Sequence, residues 1–109
     1  MTIDFNLMDE TVIHNFRGGL KDTATRMFAD ERNRIMLARL EPCASIGTHA
    51  HETSSEIVYI LQGSATALIS GVRETLSPGM CHYCPKGSTH SLVNSGGEDL
   101  VFFAVVPEQ

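Results

Sequence analysis

Two histidines and a glutamate in one short segment have the spacing of metal ligands. His49 and His51 are two residues apart, and Glu56 follows five residues after His51. Side chains two residues apart on a β-strand point to the same face, so the two imidazoles would lie side by side. A turn through residues 52–55 could bring Glu56 back to meet them. Two neutral imidazoles and one carboxylate suit a first-row divalent metal, and His90, on a separate predicted strand, is a fourth candidate ligand.

The segments that must position these residues have the pattern of short β-strands. From Thr23 onward the apolar residues recur with a period close to two, and Gly and Pro turns separate the runs. The predicted strands are residues 23–28, 34–40, 45–51, 56–61, 64–70, 72–76, 80–84, 89–93 and 100–106, after a short strand or arm at 9–13. Eight or nine short strands without a long helical pattern are typical of an all-β sandwich or barrel.

The length of 109 residues predicts one structural domain. Within it we distinguish residues 1–33, an N-terminal arm with the first strands, from residues 34–109, the barrel. The formal net charge is −5, with only eight Lys and Arg, which argues against a nucleic acid partner. No apolar run approaches a membrane span of about 20 residues, and the first residues do not have the pattern of a signal peptide. We therefore expect a cytoplasmic protein with no membrane partner.

Three cysteines are present, at positions 43, 81 and 84. An odd number argues against a disulfide framework. Cys81 and Cys84 form a C-x-x-C, a spacing that also occurs in redox and zinc sites. No second pair of ligands accompanies it, and it does not open a predicted helix. We therefore interpret the pair as two small buried residues on one strand.

Two segments of the chain can be compared with family signatures. The first covers residues 49–63, and its fixed positions are His49, His51, Glu56 and Gly63. The second covers residues 79–94, and its fixed positions are Gly79, Pro85, Gly87, His90 and Asn94. In order and spacing they resemble the two signatures of the cupin superfamily, which are small β-barrels of the jelly-roll type. One departure is Cys43, which stands where the first signature usually opens with glycine.

The resemblance implies a metal site. In cupins that bind metal, the ligands are the two histidines and the glutamate of the first signature and the histidine of the second. Those roles fall here on His49, His51, Glu56 and His90. The expected cofactor is one divalent transition metal, and iron, manganese, nickel, cobalt, copper and zinc all remain open.

The superfamily hosts dioxygenases, isomerases, lyases, decarboxylases, storage proteins and sugar-sensing domains, so the fold does not select a reaction. We predict a small metal-dependent enzyme of the dioxygenase, isomerase or lyase type that acts on a small organic molecule. The alternative is a non-catalytic module that binds or senses a sugar or an organic acid. His82 is the best candidate for a general acid or base beside the metal. Strand parity pairs His82 with Cys84 and Cys81 with Tyr83, and leaves open which pair faces the cavity.

A homodimer is also expected, by analogy and because two predicted strands are apolar on both faces. Residues 57–61 and 101–106 contain almost only apolar and aromatic side chains. One face of each strand can fill the barrel. The other face needs a second copy or the N-terminal arm to cover it.

Overall fold

Two antiparallel sheets make up the protein. The computed structural model describes residues 1–109 and contains ten strands and two 3-10 helices. The helices are Phe5–Leu7 and Phe16–Gly18. The strands are β1 (Thr11–His14), β2 (Asp22–Ala29), β3 (Asn33–Leu40), β4 (Ser45–Ala50), β5 (Glu56–Gln62), β6 (Ala65–Ile69), β7 (Val72–Leu76), β8 (Cys81–Cys84), β9 (Thr89–Asn94) and β10 (Leu100–Pro107). Neither helix approaches the length or apolar character that crossing a membrane requires.

The larger sheet has the strand order β1-β2-β3-β10-β5-β8, and the smaller has the order β4-β9-β6-β7. All pairings are antiparallel. The prediction of an all-β fold of short strands is confirmed. The nine predicted strands from residue 23 onward are present, with ends within one residue of those expected. The tenth is β1, in the segment expected to be a strand or an arm, and it pairs with β2 at the edge of the larger sheet.

The core lies between the two sheets and follows the two-residue alternation of the strands. In β10, Leu100, Phe102 and Ala104 are fully buried, while Val101, Phe103 and Val105 on the other face are partly exposed. The same alternation in β5 buries Val58 and Ile60. Apolar side chains that alternate along antiparallel strands fill the space between two facing sheets, so the inward faces form one core cluster.

The second 3-10 helix packs against β4 with almost no space between the two backbones. A Cβ atom on Gly47 would lie 2.1 Å from the carbonyl oxygen of Arg17, and one on Gly19 would lie 2.1 Å from the carbonyl oxygen of Ser45. No side chain fits at either position, so both must be glycine. This contact fixes the N-terminal segment against the strand that carries the first candidate ligand.

The two cysteines of the C-x-x-C point in opposite directions. Residues three apart on a strand lie on opposite faces, and the structure buries Cys84 and exposes Cys81. The prediction that both are buried is therefore wrong for Cys81. All three cysteines are free thiols. Burial, and in addition the nearby Glu56 carboxylate, raise the pKa of the Cys84 thiol to about 11.

Alkylation should distinguish the three thiols. At pH 8 we expect iodoacetamide to modify the exposed Cys43 and Cys81 and to leave Cys84 unmodified, because the reactive thiolate of Cys84 is both buried and disfavoured. Mass spectrometry of the native protein would show two modifications. The same treatment in denaturant should show three. Modification of Cys84 in the folded chain at the rate of the other two would contradict this placement.

Candidate metal centre

Four side chains converge at one end of the barrel. His49 belongs to β4, His51 follows its end, Glu56 is the first residue of β5, and His90 is the second residue of β9. Their ligand atoms all lie within 4.8 Å of one another. Glu56, His51 and His90 are buried, and His49 is partly buried. The structure thus brings together all four residues that the sequence singled out as metal ligands.

A β-bulge in β4 turns His49 toward the interior. Ile46 pairs with Leu92 and His49 pairs with His90, so β4 advances three residues while β9 advances two. The extra residue reverses the alternation. Ile46 and His49 therefore both face the core, which strict alternation along β4 would not allow. His51 then lies two residues beyond His49, on the same side.

The donor atoms have the spacing expected around a single ion. The three Nε2 atoms lie 3.0 to 3.2 Å apart. Glu56 Oε1 lies 3.0 Å from His51 Nε2, 2.9 Å from His90 Nε2 and 3.9 Å from His49 Nε2. Two ligands about 2.1 Å from one ion and at right angles to each other are about 3 Å apart. The residues present therefore fit a divalent transition metal.

Each of the three imidazoles is held by a different partner at its Nδ1 atom. His49 Nδ1 lies 2.7 Å from the carbonyl oxygen of Gly47, His51 Nδ1 lies 3.1 Å from Ser54 Oγ, and His90 Nδ1 lies 3.0 Å from His82 Nε2. A carbonyl only accepts, so His49 carries its proton on Nδ1 and presents a lone pair at Nε2. Outer partners of this type orient metal-binding histidines and select the required tautomer.

The electrostatics of the cluster favour an ionised Glu56 carboxylate and a neutral His90 imidazole. Burial alone would raise the pKa of Glu56, but its close contacts with the rings of His49, His51 and His90 hold it well below its usual value. Burial lowers the pKa of His90, and the opposing effect of Glu56 does not cancel it. A carboxylate and a neutral imidazole are the forms of these side chains that bind metal.

His82 lies behind His90, on the inward face of β8 with Cys84. The question of which pair faces the cavity is thus answered by the pairing with β5, which places His82 opposite Val58 and Cys84 opposite Glu56. The His82 ring is fully buried, and its plane lies within 14° of the plane of the His90 ring, with the ring centroids 5.3 Å apart. Its Nε2 contacts His90 Nδ1 at 3.0 Å, and its Nδ1 contacts Glu74 Oε1 at 2.6 Å.

Glu74 and Ser54 are parts of the site that the sequence did not reveal. Glu74 reaches His82 across the gap between β7 and β8, which lie in different sheets. A sequence pattern along one strand cannot predict this contact, because the contact depends on how the two sheets pack against each other. Ser54 lies in the predicted turn before Glu56, and its distance of three residues from His51 is the only hint of their contact.

Two spaces adjoin the cluster. On the inner side is a cavity of about 10 Å³, bordered by the apolar side chains of Ile46, Val58 and Leu92; a cavity of about this size holds one water molecule. On the outer side of His51 is an open depression of about 230 Å³. Its charged lining residues are Arg17, Arg34, Glu52 and Glu108. Neither of these arginines forms an ion pair.

Comparison with known proteins identifies the family. The model of the Cupin domain family (Cupin_2) matches residues 36–106. A protein from Thermotoga maritima named "Oxalate-binding protein" is 37% identical over 100 residues, which cover 86% of this chain and 83% of that protein. A solved structure from Thermotoga maritima, described as a predicted oxalate decarboxylase, has a TM-score of 0.93 and 28% identity over the full length of both chains.

The fold extends to relatives with other activities. The polyketide cyclase RemF from Streptomyces resistomycificus has a TM-score of 0.80 at 24% identity, with 98% of this chain and 78% of that one covered. At this identity the likeness concerns the fold alone. Together with the two signatures and the four converging ligands, the match to the family model shows that the chain belongs to the cupin superfamily.

Proposed function

We propose that this protein holds one divalent transition metal through His49, His51, Glu56 and His90 and uses it to bind a small carboxylate anion, with oxalate as the first candidate. The observation that carries the proposal is the convergence of three Nε2 atoms and one carboxylate oxygen, with 2.9 to 3.9 Å between them. When bound, the metal supplies a Lewis acid to which carboxylate oxygens bind. The name of the Thermotoga maritima relative supports oxalate as the anion.

The charges of the depression support an anionic ligand. Arg17 and Arg34 border it beside His51 and have no carboxylate partner of their own. A guanidinium presents a planar set of donors that matches a carboxylate. Glu52 and Glu108 also border the depression and repel an anion. An anionic ligand is therefore attracted only where it lies close to the two arginines. Arg34 lies two residues before the buried Met36 on β3, on the same face of the strand. We assign Arg34 the role of contacting the carboxylate group of oxalate that lies farther from the metal.

Calorimetric titration tests this function. Oxalate added to Mn²⁺-loaded protein should bind once per chain, and metal-stripped protein should show no binding. Arg34→Gln should weaken oxalate binding about tenfold, the effect of one charge-assisted hydrogen bond, and should leave metal content unchanged. Arg73→Gln is the matched control, since Arg73 is exposed on β7 away from the depression. Metal-loaded protein that binds no oxalate would contradict the carboxylate proposal.

Catalysis is the second candidate. On an ion that takes six ligands, four protein ligands leave two coordination positions for a substrate, which favours the predicted enzyme. Against it, both ring nitrogens of His82 are already hydrogen-bonded, so His82 is poorly placed to serve as a free acid or base. Incubation of metal-loaded protein with oxalate, followed by assay for formate and carbon dioxide, separates the two candidates. Product that forms with the wild type and not with His90→Ala would establish an enzyme.

We also propose that two copies associate through the outer face of the larger sheet. Ile57, Tyr59, Leu61 and Tyr83 lie on this face with 38%, 42%, 48% and 53% exposure. They come from adjacent strands and adjoin the partly exposed outer side chains of β10. The N-terminal arm covers part of the β10 side of this face, where the Phe5 and Phe103 rings lie 6.2 Å apart. A two-fold axis would bury the remaining apolar side chains on both copies.

Light scattering should therefore give a mass of twice 11.9 kDa for the wild-type chain. Tyr59→Glu places a charge at the centre of this face and should shift the mass to that of one chain. Thr75→Glu, at an exposed position on the smaller sheet, should leave the mass unchanged. A wild-type chain that is monomeric at micromolar concentration would contradict the dimer.

A further inference from the structure

Two side chains, Glu74 and His82, connect the partly exposed edge of the barrel to the metal ligand His90. The Glu74 side chain is 40% exposed, the His82 side chain is fully buried, and the contacts Glu74 Oε1 to His82 Nδ1 and His82 Nε2 to His90 Nδ1 measure 2.6 and 3.0 Å. No other residue contacts His82 through a ring nitrogen. This series of hydrogen-bonded side chains ends at His90, whose Nε2 belongs to the cluster of ligand atoms.

Only one arrangement of protons satisfies every contact when His90 binds a metal. His90 Nε2 must then present a lone pair, so the His90 proton is on Nδ1 and is donated to His82 Nε2. His82 Nε2 must accept, so the His82 proton is on Nδ1 and is donated to the Glu74 carboxylate. Both histidines are neutral, and every buried ring nitrogen has a partner. The geometry thus selects the metal-binding tautomer of His90.

The three histidine ligands differ in what stands behind them. His49 donates to a backbone carbonyl, and His51 contacts a hydroxyl. Only His90 is backed by an imidazole that is itself hydrogen-bonded to a carboxylate. A carboxylate polarises the imidazole to which it is hydrogen-bonded, and that imidazole polarises the next one. In a buried setting this strengthens both hydrogen bonds and makes His90 Nε2 a stronger electron-pair donor to a metal.

The same contacts cross the open seam of the barrel. Glu74 lies on β7, the edge of the smaller sheet, and His82 lies on β8, the edge of the larger sheet. No strand pairing joins these two edges. The side-chain bond between Glu74 and His82 therefore couples the position of His90 to the closure of the two sheets.

We propose that Glu74 and His82 are positioning residues that set the tautomer, orientation and donor strength of His90, and so the affinity of the metal site. The proposal rests on the metal centre proposed above and extends it to two residues that do not themselves contact the ion. It also assigns His82 a role that differs from general acid or base catalysis.

The test measures Co²⁺ affinity by competition with a chelator, together with the visible absorption spectrum of bound Co²⁺. His82→Leu removes the acceptor for His90, and we expect the dissociation constant to rise between 10- and 100-fold, as for other outer partners of metal ligands. His82→Gln offers a carbonyl oxygen in place of Nε2 and should recover affinity to within a few-fold of wild type. Glu74→Ala should weaken binding about tenfold.

A matched control exists elsewhere in the chain. His14 and Asp22 form a histidine–carboxylate pair with the same 2.6 Å separation, exposed and outside the ligand cluster. His14→Leu and Asp22→Ala should leave both Co²⁺ affinity and the Co²⁺ spectrum unchanged. Circular dichroism of each metal-free variant establishes that it is folded.

The outcomes separate this inference from the metal site on which it rests. Wild-type protein without measurable Co²⁺ binding would overturn the metal centre and the inference together. Tight wild-type binding with Glu74→Ala and His82→Leu both within twofold would overturn the inference alone. Equal losses in His82→Leu and His82→Gln would also overturn it, because packing and not the acceptor would then set the affinity. If His82→Leu does not fold, Glu74→Ala and His82→Gln remain as the test. An unchanged Co²⁺ affinity in Glu74→Ala would then refute the role of Glu74 and His82 as positioning residues.

Discussion

His51→Ala should lose almost all of the thermal stabilisation that a divalent metal confers on the wild-type chain. His51 Nε2 lies within 3.1 Å of the ligand atoms of all three other residues, so its removal opens the centre of the cluster. A metal present at 1,000 times its dissociation constant stabilises the folded state by about 4 kcal/mol. For a domain of this size, that corresponds to a rise in Tm of roughly 15 to 30 °C.

Scanning calorimetry with and without added Mn²⁺, Co²⁺ or Zn²⁺ would measure this shift. His14→Ala is the control, because His14 is an exposed histidine outside the cluster and should retain the full shift. The ion that gives the largest rise in Tm would also be the one that the site prefers. A His51→Ala variant that melts at the metal-loaded wild-type temperature would show that the ion binds elsewhere.

Gly47→Ala should be among the most disruptive single substitutions in the chain. Its Cβ would lie 2.1 Å from the carbonyl oxygen of Arg17, a backbone atom that cannot rotate away. Either the second 3-10 helix or the bulge in β4 must move, and we expect a loss of about 3 kcal/mol in the free energy of unfolding. Metal affinity should fall as well, since the Gly47 carbonyl holds His49 Nδ1.

Denaturant titration of Gly47→Ala beside Gly97→Ala tests this expectation. A Cβ on Gly97 meets no atom within 4 Å, and its backbone is not in the left-handed region, so that variant should stay within about 0.5 kcal/mol of wild type. Equal stability of the two variants would mean that the contact between the 3-10 helix and β4 is not as close as the structure has it.

The convergence of the four candidate ligands could be predicted from the sequence because its signals lie in two short segments. His49 and His51 share a face through the two-residue period, and Glu56 and His90 occupy fixed positions in signatures that specify a known fold. The strand ends were also predictable, since Gly and Pro mark the turns between them. Both kinds of information lie within windows of about 15 residues.

The parts that could not be predicted depend on contacts between distant segments. Alternation from the buried Ile46 would place Thr48 inward and His49 outward, and only the pairing with β9 reveals the bulge that corrects this. In the same way, parity grouped His82 with Cys84 but could not orient them until β8 was paired with β5. The contact between His82 and Glu74 joins two sheets, which no period along the chain encodes.

The backbone conformation of Cys43 shows what glycine would contribute at this position of the signature. Cys43 stands where the related pattern usually has glycine, and its φ is +68°, in the left-handed region that favours glycine. The turn before β4 therefore has, at Cys43, a backbone conformation that glycine adopts readily. Because the turn contributes no ligand atom, the departure does not affect the four converging candidate ligands.

The most direct test of the account is the metal content of the protein as purified, without chelator and without nickel affinity chromatography. Elemental analysis should find about one divalent transition metal per chain in the wild type. The double variant His49→Ala, His51→Ala should contain none, while circular dichroism shows it to be folded. Wild-type protein that contains no metal, and that takes up none on reconstitution with each candidate ion, would contradict the assignment of His49, His51, Glu56 and His90 as a metal centre.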